Sequence, residues 1–334
     1  MHSSQMTISQ AADAYLDAVR LSRSHNTART YRNGISIFLD VLNENRQDPD
    51  LVPAVDLKEE AVLWLAAALK NHAPSSERLY LTAVTGFYEY LSAEKIADIN
   101  LPRIHLLIKK RARRPGQRLP QFPANAIDKI IEYMESLSNL SATDDIARLR
   151  NLRDRAFLLT LADTGLRVHE ACNLRRGDID WHEGRAIIIG KGNREDIIRF
   201  SSRSLEAIQR YLQERAALDG ATGKSLSALP LFARHDKGVG KRTKSMTTTT
   251  GRNIVTARVI EVLGNGAKGS ITPHSFRHYF VTRVLLASGN LKLAQELARH
   301  RNIAVTQRYA HLSNDELDKG YWEIFEGKSS KDDN

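Results

Sequence analysis

Residues 293–311 read LAQELARHRNIAVTQRYAH, and this is the most specific stretch of the chain. The spacing of its apolar residues predicts a helix that ends near His300, followed by a turn and a second short helix that carries Tyr309. The tyrosine lies nine residues after the histidine. A phenol can act as a nucleophile when neighbouring groups handle its proton and its charge. The sequence therefore predicts a nucleophilic site in this region.

A second motif lies upstream, where residues 273–280 read PHSFRHYF. Helical spacing places His274 and Arg277 on one face of a helix, so that both can contact one phosphate. His278 and Tyr279 are interpreted as structural residues. A His-x-x-Arg pair can also belong to a metal site, but no Cys, Asp or Glu follows at zinc-like spacing. The motif therefore indicates an anion-binding helix.

Two further cations precede this helix. Residues 164–167 read TGLR and place Arg167 at the start of a helix, where Glu170 can support it and where a phosphate is favourably bound. Residues 190–194 read GKGNR between two β-branched runs, which predicts a hairpin with Lys191 at its tip. Two guanidinium groups can neutralise a phosphodiester bidentately, and a lysine can protonate a leaving oxygen. Such a site transfers a phosphoryl group without a metal ion.

The order, wording and spacing of these motifs resemble the tyrosine recombinases, the phage-integrase and Xer-type family of DNA strand-exchange enzymes. The resemblance implies that Tyr309 forms a 3′-phosphotyrosine link during integration, excision or resolution of a DNA element. It implies no metal ion, no ATP and no other cofactor. The partner it implies is double-stranded DNA with paired recombination sites, bound by a homotetramer that is a monomer or weak oligomer when free. The implied catalytic residues are Arg167, Lys191, His274, Arg277, His300 and Tyr309.

Three positions depart from the family pattern. The family usually has Leu-Gly-His where this chain has Ala298-Arg299-His300, so that Arg299 adds a charge close to the site. His169 stands where the family often has serine, and Asp196 stands where a basic residue is common. None of the three departures removes a catalytic group.

The pattern along the chain predicts two domains and a mainly α fold with a small antiparallel β-sheet. Residues 1–105 are predicted to form a helical bundle of four helices, the SAM-like core-binding domain of the resemblance. Residues 106–123 are basic and contain proline, which predicts an interdomain linker. Residues 124–334 are predicted to form the catalytic domain, with strands over 185–189 and 196–200.

Several basic helix faces have two interpretations. Arg78 in the first domain, and Arg252 and Arg258 on a helix near 249–263, lie opposite apolar residues. A solvated helix face is the simpler interpretation, and contact with DNA is the alternative. The resemblance implies that the region around the helix near 249–263 docks in a major groove.

Charge and composition agree with a nucleic-acid partner. The chain has 334 residues with 49 basic and 39 acidic side chains, a formal net charge of +10. This balance favours a polyanionic partner. Cys172 is the only cysteine, which excludes a disulfide framework. The sequence shows no signal peptide and no apolar run of membrane-spanning length, so we expect a cytoplasmic protein without a membrane partner.

Two alternatives share the same residues. A type IB topoisomerase would relax DNA as a monomer, and a non-catalytic DNA-binding regulator would keep the fold without forming a covalent adduct. The sequence predicts an apolar helix over 314–325, which can pack in its own domain or, as the resemblance implies, insert into a neighbouring protomer. The second arrangement favours the recombinase.

Overall fold

The computed structural model describes residues 6–113, 124–137, 144–190, 194–236, 243–307 and 309. The chain divides into two compact units, Met1–Gln117 and Arg118–Asn334. Among the described residues the fold is mainly helical with one small antiparallel sheet, which confirms the predicted class.

The first unit is a bundle of helices around one apolar core. The four predicted helices are present, although α2 begins after Ser24, whose side chain accepts a hydrogen bond from the backbone of Thr27, and not after Asn26. Phe38, Phe87 and Tyr88 are fully buried where α2 and α4 pack. The helices are α1 (Ile8–Ser22), α2 (His25–Glu44), α3 (Ala61–Ala68), α4 (Pro74–Ala93) and α5 (Leu101–Arg111).

Helix α5 differs from the prediction, because it occupies part of the segment expected to be a linker. Asn100 caps its first turn by accepting a hydrogen bond from the backbone of Arg103, and Pro102 lies in that turn, where proline is tolerated. Ile104 is fully buried in the core of the first unit. The basic residues at the end of α5 therefore belong to a helix whose apolar face packs on α3 and α4. The remaining linker residues, 114–123, lie outside the described residues.

The second unit contains the three strands and the remaining helices. Its elements are α6 (Ala124–Ser136), α7 (Asp145–Thr164), α8 (Val168–Asn173), β1 (Ile179–Asp180), β2 (Arg185–Gly190), β3 (Arg194–Arg199), α9 (Ser202–Glu214), α10 (Ala216–Gly220), α11 (Thr248–Leu263), α12 (Pro273–Ser288), α13 (Leu291–Ala298) and α14 (Ile303–Gln307). The predicted hairpin is confirmed, since β2 and β3 pair antiparallel from Arg185 with Arg199 to Gly190 with Arg194. The short strand β1, which was not predicted, extends the sheet beside β2.

Helix α7 is the central element of the second unit and packs against α6, α9 and α12. Its buried residues cover nearly its whole circumference, as the apolar run from Ala156 to Ala162 predicted. Gly165 ends the helix at φ +61°, a left-handed conformation that glycine adopts without steric cost. The chain then turns directly into α8, and this turn fixes the position of Arg167.

Within the described part of the chain, no helix combines the length and the apolar character that crossing a bilayer requires.

Candidate active site

Arg167 is fixed at the start of α8 by a single carboxylate. Its backbone N–H donates to Oε2 of Glu170 at 2.8 Å, and its Nη1 donates to Oε1 at 2.8 Å. The predicted support by Glu170 is therefore confirmed. Burial alone would raise the pKa of Glu170, but the charge of Arg299 and the hydrogen bonds from Arg167 outweigh it and lower that pKa. The carboxylate stays ionised, and the Arg167 guanidinium remains 45% exposed for a ligand.

Arg277 is held by two backbone carbonyl groups from different elements. Its Nη1 donates to the carbonyl oxygen of Gly165 at 2.6 Å, and its Nη2 donates to that of Ala298. Arg277 is only 2% exposed, and burial together with the cations Arg167 and Arg299 lowers its pKa to about 9. It is still protonated at neutral pH. A second positive charge is thus fixed close to Arg167.

Arg167, His274 and Arg277 line one pocket of about 450 Å³. Arg252 of α11 also lines it, and no carboxylate is among the described residues that line it. Burial and the charges of Arg277 and Arg167 lower the pKa of His274, so its imidazole is neutral at pH 7 and can accept a proton. The pocket therefore offers three guanidinium groups and a neutral base to an anion.

His300 lies after α13 and is electrostatically coupled to this pocket. Burial and the cations Arg277 and Arg167 lower its pKa to about 4, so it is neutral at pH 7. Its Nδ1 shares a hydrogen bond of 2.8 Å with the hydroxyl of Thr306. When that hydroxyl donates, the ring keeps its proton on Nε2 and can donate it to an oxyanion. At pH 7 His300 can therefore offer a hydrogen bond but not a positive charge.

Tyr309 follows α14 and is only 2% exposed. It packs in a small apolar cluster with Val281 and Leu285 of α12, and its hydroxyl shares a hydrogen bond with Nδ1 of His278. The rings of His278 and His274 are 4.3 Å apart in an edge-to-face arrangement. The hydroxyl of Tyr309 therefore contacts a histidine that packs against the pocket residue His274, and Tyr309 is not among the described residues that line the pocket.

Two predicted residues of this region have a different outcome. Lys191 lies outside the described residues. Arg258 was predicted to point away from the core, but it is only 8% exposed. Its guanidinium binds the carboxylate of Asp154 at 2.8 Å and that of Glu261 at 2.7 Å. The prediction of an open basic face at Arg258 is wrong, because this side of α11 faces α7, where Asp154 and Asn151 bind the buried guanidinium.

Sequence reasoning missed the contribution of His278 and only partly anticipated those of Arg252 and Arg299. His278 was interpreted as structural, although it contacts the hydroxyl of Tyr309. Arg252 lines the pocket, and its position one turn into α11 was the only available signal. Arg299 donates to Glu170 at 3.1 Å, so the same carboxylate holds two arginines. The replacement of glycine before His300 was the signal for this third residue.

Comparison with known proteins agrees with this fold. Residues 122–316 match the phage integrase family, and residues 12–95 match the phage integrase N-terminal SAM-like domain. The chain belongs to the phage integrase family, and its class is that of the tyrosine site-specific recombinases.

The relatives found include several proteins named tyrosine recombinase XerC. The chain is 30% identical to that of Alcanivorax borkumensis over 90% of this chain and 94% of the relative. It is 26% identical to that of Staphylococcus aureus over 92% of this chain and 94% of the relative.

Two solved structures share the fold. The XerH site-specific recombinase bound to a palindromic difH substrate has a TM-score of 0.66 at 17% identity, covering 96% of this chain and 85% of that one. The Tn1549 transposon integrase with a circular intermediate DNA has a TM-score of 0.64 at 19% identity, covering 96% of this chain and 100% of that one.

Proposed function

We propose that this recombinase cleaves and rejoins duplex DNA through a covalent 3′-phosphotyrosine intermediate at Tyr309. The observation that carries the proposal is the pocket in which Arg167, His274, Arg277 and Arg252 meet without a lining carboxylate. A phosphodiester is an anion whose two non-bridging oxygens match the geometry of guanidinium forks. Because the protein belongs to the phage integrase family, we infer that this phosphodiester is part of duplex DNA.

In the proposed first step, Arg167 and Arg277 bind the non-bridging oxygens of the scissile phosphate. Tyr309 leaves His278, and its oxygen forms a bond to phosphorus as the bond to the 5′ oxygen breaks. Negative charge grows on the phosphorane oxygens during this step, so fixed cations stabilise the transition state more than the ground state. Neutral His300 donates a hydrogen bond to the same oxygens.

Two protons move in this step. His274, neutral at pH 7, accepts the proton of the phenol. Lys191 donates a proton to the departing 5′ oxygen, which leaves as a hydroxyl group. Because the phosphotyrosine keeps the energy of the phosphodiester, the 5′ hydroxyl of a second strand can attack it and release Tyr309. The outcome is strand exchange without hydrolysis and without any cofactor.

The first unit is proposed to bind the same duplex. It contains a pocket of about 900 Å³ lined by Arg23, Arg78 and Lys109, with the carboxylate of Glu89 among the lining residues. Cations on such a surface follow a phosphate backbone and release counterions. We propose that the first unit, which includes α5, and residues 124–334 act as two DNA-binding domains joined by the segment between them, in the cytoplasm.

We propose further that four protomers meet on two recombination sites. Recombination requires four strand cleavages, and each protomer supplies one Tyr309. The apolar segment predicted to be a helix over 314–325, which lies outside the described residues, is proposed to connect neighbouring protomers.

A nicked duplex that loses a short fragment after cleavage tests the mechanism. The wild-type protein should accumulate a covalent adduct, and peptide mapping should place the DNA on Tyr309. Relaxation of supercoiled DNA without exchange between sites would instead identify a topoisomerase. Specific binding with no adduct would identify a non-catalytic regulator.

A further inference from the structure

Arg299 occupies a conformation and an environment that are unusual for arginine. It follows the last turn of α13 at φ +58°, in the left-handed region, where the Cβ of a residue other than glycine comes too close to the following carbonyl oxygen. Arg46 and Lys95 are the other described non-glycine residues with positive φ, and both are exposed. The side chain of Arg299 is only 5% exposed. A strained backbone therefore carries a buried charge, which indicates a function for the side chain.

The contacts of Arg299 leave part of its guanidinium unused. Its Nη2 donates to Oε2 of Glu170 at 3.1 Å. Its Nε and Nη1 are buried and have no hydrogen-bond partner among the described residues. Buried donors without acceptors are rare in folded proteins, and those of a charged group are costly. A stability role alone does not account for this arrangement.

The segment 298–299 reaches both arginines of the pocket. Through Glu170, which also accepts two hydrogen bonds from Arg167, the side chain of Arg299 is linked to the first guanidinium. The carbonyl oxygen of Ala298 accepts a hydrogen bond from Arg277. One turn at the end of α13 thus helps to hold both groups that bind the phosphate in the proposed mechanism.

An anion on the sheet also acts on Arg299 without forming an ion pair with it among the described contacts. Asp196 of β3 acts electrostatically on Arg299 and on Arg277. Arg277 is within the electrostatic reach of Arg167, Arg299, Glu170 and Asp196, which gives the cluster three cations and two anions. One net positive charge remains. Without Arg299 the same cluster would be neutral, because Asp196 would then cancel the remaining cation.

We propose that Arg299 is a positioning residue for strand cleavage. It holds Glu170 where that carboxylate orients Arg167, and its charge offsets Asp196 beside the phosphate-binding pocket. This role rests on the proposed function, because it concerns the same cleavage step. It adds a third arginine, absent from the six-residue set, to the residues on which that step depends.

Arg299→Gly is the informative substitution, because glycine adopts φ +58° without strain and the turn should fold normally. We expect an unchanged or higher melting temperature and duplex affinity within about twofold. The rate of adduct formation on saturating nicked duplex should fall by about a hundredfold, the effect of misplacing a catalytic group by about 1 Å. Arg299→Lys keeps the charge without the fork and should show an intermediate rate.

A second substitution in the Arg299→Gly variant tests the effect of the Arg299 charge. Adding Asp196→Asn to Arg299→Gly restores the net positive charge, and the rate should recover by about tenfold, whereas a purely structural role predicts no recovery. Lys292→Ala is the matched control, since its exposed ammonium on the same helix pairs only with Glu296 at 3.1 Å among the contacts described. It should leave the rate unchanged.

Two results would overturn the inference without affecting the proposed function. These are an active wild-type protein with an equally fast Arg299→Gly variant, or a slow Arg299→Gly variant that Asp196→Asn does not improve. A wild-type protein that forms no adduct on any specific duplex would overturn the proposed function itself, and this role with it.

Discussion

The hydroxyl of Tyr309 shares a hydrogen bond with Nδ1 of His278, on the same helix that carries His274 and Arg277. The tyrosine is 2% exposed, and its ring lies against apolar residues of α12. Tyr309, the proposed nucleophile, thus lies beside the pocket of Arg167, His274 and Arg277 but does not line it. Cleavage then requires Tyr309 to exchange His278 for the phosphate, so the His278 contact should restrain the tyrosine in the free protein.

The first prediction concerns this restraint. Replacing His278 by alanine removes the hydrogen bond, whose net contribution is about 1 kcal/mol, so the exposed population of Tyr309 should rise about fivefold. Nitration of the free protein by tetranitromethane, followed by peptide mapping, measures that population. His274→Ala is the control, because His274 contacts the ring of His278 and not the hydroxyl of Tyr309. Equal nitration of Tyr309 in all three proteins would exclude the restraint.

The second prediction concerns the nucleophile. Tyr309→Phe should abolish the covalent adduct on nicked duplex and leave DNA affinity nearly unchanged, because only the reacting oxygen is removed. Tyr279→Phe is the matched control on α12, since the hydroxyl of Tyr279 donates to Asp128 at 2.7 Å in the core of the second unit. It should still form the adduct. Mapping of the DNA to Tyr279 or Tyr321 in the wild-type protein would contradict the assignment.

The third prediction concerns the general acid. Lys191→Ala should slow cleavage of ordinary DNA by about a hundredfold or more, the usual contribution of a positioned acid. The defect should largely disappear on a duplex with sulfur in place of the bridging 5′ oxygen, because a thiolate leaves without protonation. The measurement is the adduct rate on both duplexes at saturating protein. Equal defects on the two duplexes would remove Lys191 from this role.

The sequence predicted the parts of the site that depend on local pattern. Gly165 ends α7, Arg167 begins α8 and Glu170 supports it, because helix ends and i, i+3 pairs are local features. The spacing of His274 and Arg277 placed both on the pocket wall for the same reason. Helix ends and helical spacing are therefore enough to identify the side chains that line the pocket.

The contacts that the sequence did not predict join residues far apart in the chain. Arg258 has the appearance of a surface residue in its helix, yet Asp154, 104 positions earlier, neutralises it in the core. The link between Arg299 and Glu170 spans 129 positions. The spacing of residues along one helix predicts neither pairing, because both depend on which elements pack together in the fold. The same holds for α5, whose buried Ile104 outweighs the linker-like composition around it.

The fourth prediction concerns pH. The pKa of His300 falls from 6.5 to about 4 on folding, so between these values the unfolded chain binds the proton and the folded protein does not. The free energy of unfolding should therefore rise with pH across this window and lose this contribution as the pH falls. His300→Gln should reduce that slope by up to about 1.4 kcal/mol per pH unit, measured by urea unfolding from pH 4 to 7.

His235 provides the control for this measurement. Its pKa is lowered to about 3 by burial and by the charge of Arg153, and it shares a hydrogen bond of 2.7 Å with the hydroxyl of Tyr211. His235→Gln should flatten the same stability curve without the loss of cleavage expected for His300→Gln. An identical slope in His300→Gln and wild-type protein would show that His300 is not held neutral by the fold.

The fifth prediction concerns assembly. The apolar residues Leu317, Tyr321 and Phe325 recur on one face of the segment predicted to be a helix over 314–325. Donated cyclically from each protomer to the next, such a helix makes a heterologous contact that closes a ring of four and couples neighbouring active sites. A chain truncated after Ser313 retains Tyr309 and both DNA-binding units. It should bind a single site with unchanged affinity but lose tetrameric complexes and strand exchange.

Native gels on single and paired sites separate the possible outcomes of this truncation. A double substitution, Leu317→Asp with Phe325→Asp, keeps the chain length and should reproduce the loss if the apolar face is what neighbours bind. Adduct formation on a single nicked site reports whether the active site itself survives. Tetrameric complexes and exchange at the wild-type rate in the truncated protein would show that the segment packs only within its own protomer, as a monomeric topoisomerase requires.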